Sequence, residues 1–364
     1  MLNNETPMNE EPTSSDEHSS LNEQQGNPSS ADDSTNVTPE ETPSTDSDIQ
    51  FEGFAEKVRQ IKAEIGKVII GQEQHIDMLL VALITEGHAL VEGVPGIAKT
   101  LLANLLSKTL NVDFNRIQFT PDLMPSDITG TTVFNMNDSS FSFNDGPIFT
   151  NVVLIDEINR APAKTQAALF EVMEEKQVTV DGQTYSMEFP FFVVATQNPL
   201  EQEGTYRLPE AQLDRFTFRL LLDYPNLAEE REILKKFATD FNKAREEKIA
   251  HILSPKELAD IRNRVEKVHM DESILNYIAS IVVSTRNHPY LYLGASPRAS
   301  LAIMKSSKAF AALQGRAFVT PDDVAHVAHA VLNHRIQLNP EREMEGMTYR
   351  DVIEQILSDI EIPR

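Results

Sequence analysis

The chain has 364 residues, 40% of them hydrophobic, a net charge of −24 and no cysteine. That length allows a tail and two modest domains with a sizeable core, and the absence of thiols excludes a disulfide framework or a thiolate metal site. No basic, apolar leader opens the sequence and no apolar run approaches the ~20 residues that cross a bilayer, which points to a soluble cytoplasmic protein without membrane insertion.

Residues 1–48 carry 12 Asp or Glu and no Lys or Arg, in a background of Ser, Thr, Pro, Asn and Gln. Such a stretch buries too little apolar surface to offset chain entropy and is expected to be a disordered acidic tail. The overall charge argues against a dedicated nucleic-acid binder, because phosphate neutralisation needs clustered Lys and Arg. Phe54, Val58, Ile61 and Ile65 follow helical spacing. A turn, Val68-Ile69-Ile70-Gly71-Gln72, separates this helix from a second apolar helical run, Ile76 to Ile84.

The apolar run Ala89-Leu90-Val91 then leads into Gly93-Val94-Pro95-Gly96-Ile97-Ala98-Lys99-Thr100 and a helical stretch, Leu101 to Leu110. Strand, glycine-bearing turn and helix in this order form a phosphate-binding loop. Backbone N–H groups converge on the anion, and the helix points its positive end at it. Lys99 can reach the β- and γ-phosphates and the Thr100 hydroxyl can ligate Mg²⁺. Ala98 stands where the usual pattern has glycine.

Two short alternating pieces, Gly130 to Phe134 and Phe141 to Phe143, flank a polar turn and suggest a hairpin. Val152-Val153-Leu154-Ile155 reads as a buried parallel strand ending in Asp156-Glu157. Carboxylates at such a strand end lie at the ligand edge of an open α/β sheet. There Asp156 would hold Mg²⁺ through its water shell, and Glu157 would deprotonate the attacking water. Val178 to Tyr185, broken by Asp181-Gly182, predicts a second hairpin with a two-residue turn. A third strand, Phe191 to Thr196, leads to Gln197-Asn198-Pro199, and the Asn198 amide could polarise the same water.

In Leu208-Pro209-Glu210-Ala211-Gln212-Leu213-Asp214-Arg215-Phe216, Arg215 is the candidate guanidinium for a neighbouring subunit's γ-phosphate. Arg207 is a rival, and a salt bridge of Arg215 to Asp214 or another nearby carboxylate is the plain alternative. After Tyr224-Pro225-Asn226 helical patterns take over, in Ala228–Phe237, Pro255–Val268, Ser273–Thr285, Pro297–Leu313, Pro321–Leu332 and Tyr349–Ile360. Ser-Pro and Thr-Pro pairs open three of them. Ser296-Pro297 would place Arg298 at the end of a lid helix facing a nucleotide, in cis or across a subunit boundary, unless it is an ordinary surface arginine. His326, His329 and His334 lack a supporting ligand pattern and read as surface or packing residues.

The motifs GVPGIAKT, VVLIDEINR, FFVVATQNP, LPEAQLDRF and GASPRAS, in this order, resemble the MoxR group of AAA+ ATPases over roughly residues 51–364. The resemblance implies an α/β fold: a P-loop core with a parallel sheet and β-hairpin inserts (49–225), then an all-helical lid (226–364). It implies ATP and Mg²⁺ as cofactors, and Ala98 fits this group. Gly71 would lie in a turn that packs on the adenine, and Gly93 to Leu101 would line the phosphates. The first hairpin matches an insert in the core's second helix, and both hairpins would project toward a ring axis. The implied activity is a ring-forming, six-membered remodelling ATPase acting on partner proteins, von Willebrand factor A domains among them. A nucleic-acid motor and the ATPase subunit of a metal chelatase are the alternatives.

Overall fold

The computed structural model describes residues 45–137, 139–198, 204–238 and 248–363, with side chains from residue 51 onward. Helix α1 (Thr45–Gly66) begins inside the segment that composition sets apart as a tail, and the rest of that tail lies outside the described residues, as does Pro199. Phe54, Val58, Ile61 and Ile65 of α1 are buried, as their spacing predicts. Helix α2 (Glu73–Ile84) is buried continuously from Ile76. The core then runs through β1 (Ala89–Gly93), α3 (Lys99–Thr109), β2 (Phe114–Gln118) and the short α4 (Pro125–Thr129). The first hairpin is β3 (Gly130–Asn135) with β4 (Ser140–Asp145). Next come β5 (Val152–Asp156), α5 (Ala163–Glu175) and the second hairpin, β6 (Gln177–Val180) with β7 (Gln183–Ser186). Asp181 and Gly182 at its turn both have positive φ, which a twisted two-residue hairpin requires. Strand β8 (Phe192–Gln197), α6 (Glu210–Leu213) and β9 (Phe218–Leu222) complete the core.

Five strands form one parallel sheet in the order β2-β5-β8-β1-β9. Alternation along β5 shows how the sheet is sealed. Val152 and Leu154 face a cluster with Val91, Leu102 and Leu106, and Val153 and Ile155 face Leu169, Phe170 and Met173 of α5. A strand buried on both faces reads as an unbroken apolar run, which is why β1, β5 and β8 were legible. The edge strands β2 and β9 carry Arg116, Gln118 and Arg219 and escape that reading.

The remaining elements are mainly helical: α7 (Leu227–Phe237), α8 (Pro255–Val265), α9 (Glu272–Asn287), β10 (Leu291–Leu293), α10 (Pro297–Leu313) and α11 (Pro321–Leu332). Then follow β11 (Gln337–Leu338), α12 (Pro340–Met344) and α13 (Tyr349–Asp359). Asn226, Ser254, Thr320 and Thr348 close capping boxes with acidic residues three positions on, satisfying backbone donors that a helix start leaves free. Ser296 occupies the N-cap position of α10 without a side-chain cap bond. The small pair β10–β11 was not anticipated. His326 stacks on Phe310, a packing role. Among the described residues no helix is long and apolar enough to cross a membrane.

A buried histidine ties the sheet to α5. His88 Nε2 donates to the Met173 carbonyl (3.1 Å), Nδ1 accepts the Val193 N–H (3.1 Å), and the ring meets Phe191 edge-on. Burial pushes its pKa from 6.5 down to about 4. The unfolded chain therefore binds a proton that the folded chain refuses across that window. Stability from this group is complete above pH 6.5 and lost as the pH falls toward 4, by up to roughly 3 kcal/mol. Urea unfolding across this range should show that slope, and His88→Gln should make it shallower; an unchanged slope would contradict the assignment.

Candidate active site

Gly93 closes β1 where backbone and side chains crowd together. A Cβ there would lie 2.4 Å from Ile97 Cδ1 and 2.8 Å from the Leu222 carbonyl oxygen. The loop then passes through half-buried Val94 and exposed Pro95 to Gly96 and Ala98, whose φ values are +90° and +65°. Gly96 is open: nothing lies within 4 Å of where its Cβ would be. Ala98 holds a left-handed conformation that costs an L-residue about 1 kcal/mol. Lys99, Thr100 and Leu101 form the first turn of α3. Lys99 Nζ donates to the carbonyls of Gly93 (2.7 Å) and Gln197 (3.3 Å), which spans the mouth of the loop. The preceding turn is fastened to the same place, since Gln72 Nε2 donates to the Ile97 carbonyl (3.1 Å). Gly71, with φ +82°, abuts α7 so closely that a Cβ would come within 2.3 Å of Glu229 Oε1.

Register brings the acidic groups to the same edge. Gln118 of β2 pairs with Asp156 of β5, and Glu92 of β1 pairs with Gln197 of β8. The buried Thr196 hydroxyl joins the two carboxylate residues: it donates to Asp156 Oδ1 (2.5 Å) and accepts the Glu157 N–H (3.0 Å). Arg116 Nε reaches Asp156 Oδ2 (3.1 Å). Gln118 Nε2 donates to Glu157 Oε2 (2.8 Å), and Arg160 Nε lies 3.2 Å from that oxygen. Glu157 has φ +57°, a turn conformation that swings its side chain out of the strand path. Asn198 is buried directly after β8. Arg116, Gln118 and Thr196 were missed as functional positions. The period-two pattern Phe114-Asn115-Arg116-Ile117-Gln118 could have revealed the first two. The Thr100 hydroxyl and the Asp156 carboxylate are hard oxygen donors beside an open glycine cradle, a set that fits Mg²⁺.

The two arginines are elsewhere. Arg215 pairs with Glu174 near the end of α5 and donates to the Phe170 carbonyl (3.1 Å). Arg298 lies 3.5 Å from the other oxygen of Glu174. The sequence neighbour Asp214 pairs instead with Arg335 (2.7 Å). Arg215 and Arg298 line a cleft of about 270 Å³ with Gly87, His88 and Thr217, the residues that precede β1 and β9. This is the amino edge of the sheet, whereas the phosphate loop follows its carboxyl edge. A five-residue strand spans roughly 16 Å. Arg298 thus does not face the phosphate loop of its own chain, which leaves the trans alternative for its contact with nucleotide. Arg207 is exposed and lines a different cleft, of about 590 Å³, with Glu92, Gln197 and Arg219.

Comparison with known proteins gives the family. Residues 88–218 match the family described as "ATPase family associated with various cellular activities (AAA)", and residues 283–356 match the AAA lid domain. The chain is 39% identical over 325 residues to Chaperone MoxR1 of Mycobacterium tuberculosis, covering 86% of this chain and 85% of the relative. It is 44% identical over 299 residues to the uncharacterized protein YeaC of Bacillus subtilis, covering 82% of this chain and 92% of the relative. A crystal structure from Cytophaga hutchinsonii, described as that of a candidate ATPase, superposes with a TM-score of 0.79 at 43% identity. It covers 88% of this chain and 98% of its own. With both the core and the lid matched, and with a MoxR relative aligned over most of its length, the chain belongs to the MoxR family of AAA+ ATPases and is an ATP hydrolase.

Proposed function

We propose that the protein is a ring-forming ATPase, of six subunits, that couples hydrolysis to remodelling or assembly of partner proteins. The observation that carries this reading is the shared pairing of Arg215 and Arg298 with Glu174 at the sheet edge remote from the phosphate loop. Two guanidiniums at the amino edge serve a nucleotide only when another subunit presents one. Arg215 is then the finger, and Arg298 acts beside it across the same boundary. A core at 49–225, a lid at 226–364 and a cytoplasmic location fit this reading. The first hairpin favours polypeptide clients, of which von Willebrand factor A domains are one class. Its exposed side chains include Met136 (86%) and Phe141 (75%), which suit an apolar protein surface better than a phosphate backbone.

In this mechanism Lys99 and the amides of Gly93 to Thr100 bind the phosphates, and Gly71 lies beside the base. Thr100 and Asp156 would hold Mg²⁺, largely through water, which supplies neutralisation of phosphate charge when bound. Glu157 takes the proton of the attacking water and Asn198 orients it. Gln118 and Arg160 set the direction of the Glu157 carboxylate. Arg215 of the neighbouring subunit stabilises charge on the transferred group.

Glu157→Gln should retain ATP binding and lose turnover by about 10²–10⁴. Arg215→Ala should lose about 10³–10⁵ in the assembled protein. Steady-state ATPase assays with and without DNA check both; turnover like wild type in either variant would remove the assigned role, and strong stimulation by DNA would favour a motor. The Thr196 hydroxyl is the common support of Asp156 and Glu157. Thr196→Val keeps the shape but leaves the Glu157 N–H without its acceptor. It should lower unfolding stability by about 1–3 kcal/mol and reduce turnover, measured by urea melts and by kcat.

A further inference from the structure

Arg335 follows α11, far in sequence from any motif, yet its side chain is only 4% exposed. Its guanidinium makes five hydrogen bonds. Nε donates to Asp214 Oδ1 (2.7 Å), and Nη2 donates to the carbonyls of Asp214 (3.3 Å) and Phe216 (2.7 Å). Nη1 donates to the carbonyls of Thr217 (3.1 Å) and Val331 (2.7 Å). One cation therefore grips the backbone on both sides of Arg215. The two preceding residues add to the grip. Buried His334 donates from Nε2 to the Phe216 carbonyl (3.0 Å). Asn333 and Arg219 pair reciprocally: Asn333 Nδ2 donates to the Arg219 carbonyl (2.9 Å), and Arg219 Nη1 donates to that of Asn333 (3.2 Å). Arg219 in turn holds Glu92 of β1 (2.7 Å).

Burying a guanidinium costs several kcal/mol before pairing, and an apolar side chain would fill the same space at no such cost. A simple ion pair with Asp214 would use one side of the fork. Here three of the five acceptors are backbone carbonyls of residues 214–217, so the contacts fix the path of the chain itself. Opposite this grip, Phe216 packs edge-on against Phe170, whose carbonyl accepts from Arg215. The segment is thus set between α5 and residues 333–335, and Arg215 has little freedom at its backbone.

We propose that Asn333-His334-Arg335 is a staple that aims Arg215 at the neighbouring subunit, with Arg335 as a positioning residue for hydrolysis in a site it does not touch. The same staple makes the finger segment and the lid carrying Arg298 one body. This rests on Arg215 acting across the subunit boundary, and the test separates the two ideas.

Arg335→Lys should lower kcat of the assembled full-length protein by about 10² through misplacement of the finger, with affinity for a fluorescent ATP analogue unchanged. Its own phosphate loop and Glu157 remain intact. Mixed with Glu157→Gln subunits, whose fingers are intact but whose sites are dead, it should recover on the order of tenfold in ATPase rate. Arg215→Ala mixed with Glu157→Gln is the control and should recover likewise. Recovery in the control without recovery of Arg335→Lys overturns the staple and leaves the finger standing. Failure of the control overturns the finger, and the staple with it. Wild-type kcat for assembled Arg335→Lys overturns the staple directly. Should Arg335→Lys not assemble, Asn333→Ala decides: it removes the amide's bond to the Arg219 carbonyl and its contact with His334 Nδ1, and should show a smaller loss of kcat with the same rescue. Unchanged kcat, or no rescue beside a recovering control, overturns the proposal.

Discussion

A parallel sheet delivers the carboxyl ends of all its strands to one edge, and the site depends on that constraint. The register places Gln118 beside Asp156 and Glu92 beside Gln197. Groups far apart in sequence, at the ends of β1, β2, β5 and β8, converge without any loop having to find another. The Thr196 hydroxyl is the joint at the centre, binding the Asp156 carboxylate and the Glu157 amide across neighbouring strands. Because it is buried and has both partners, either bond lost would leave a polar group unpaired, which costs more than the bond itself contributes.

The same constraint creates an opposite edge, and that edge is where the cationic groups stand. Arg215 and Arg298 converge on one carboxylate, Glu174, beside the residues that precede β1 and β9. Two arginines around one glutamate leave excess positive charge in an accessible cleft. Anionic phosphate is a chemically matched partner for such a cleft. Geometry therefore separates the phosphate-binding half from the arginine half within one chain.

What could be read from sequence divides along physical lines. Strands β1, β5 and β8 are covered on both faces, so hydrophobicity alone exposes them, and Gly93, Asp156 and Asn198, at or just past their ends, came with them. Strand β2 is an edge strand whose exposed face is polar, so Arg116 and Gln118 were missed although they touch the two acidic residues. The partner of Arg215 was not its neighbour Asp214, because successive side chains around a turn diverge; Asp214 goes to Arg335 and Arg215 to Glu174. Ala98 was legible as a departure from glycine, but its left-handed φ, and hence its strain, was not. Arg335 was invisible, since nothing local distinguishes an arginine that will be buried by tertiary packing. His334, which reads from sequence as a surface or packing residue, is buried and has a specific acceptor, the Phe216 carbonyl.

The lid touches both halves of this divided site. On the nucleotide side, Gln72 binds the phosphate loop at Ile97 while its neighbour Gly71 lies against Glu229 of α7. Gly71 has a positive φ, so an L-residue there would be strained and its Cβ would displace the Glu229 side chain. On the other side, residues 333–335 hold the finger segment. Contiguity alone does not transmit a signal; it does so when an element has two arrangements that both sites bias. The Arg215 segment runs straight into β9, which pairs with β1 along its length, so the Arg335 bonds hold residues 333–335, that segment and the sheet edge together as one body. Breaking them would leave a desolvated guanidinium and several carbonyls without partners, which is far costlier than moving the body whole. The energetic asymmetry favours keeping residues 333–335 and the Arg215 segment in one fixed arrangement.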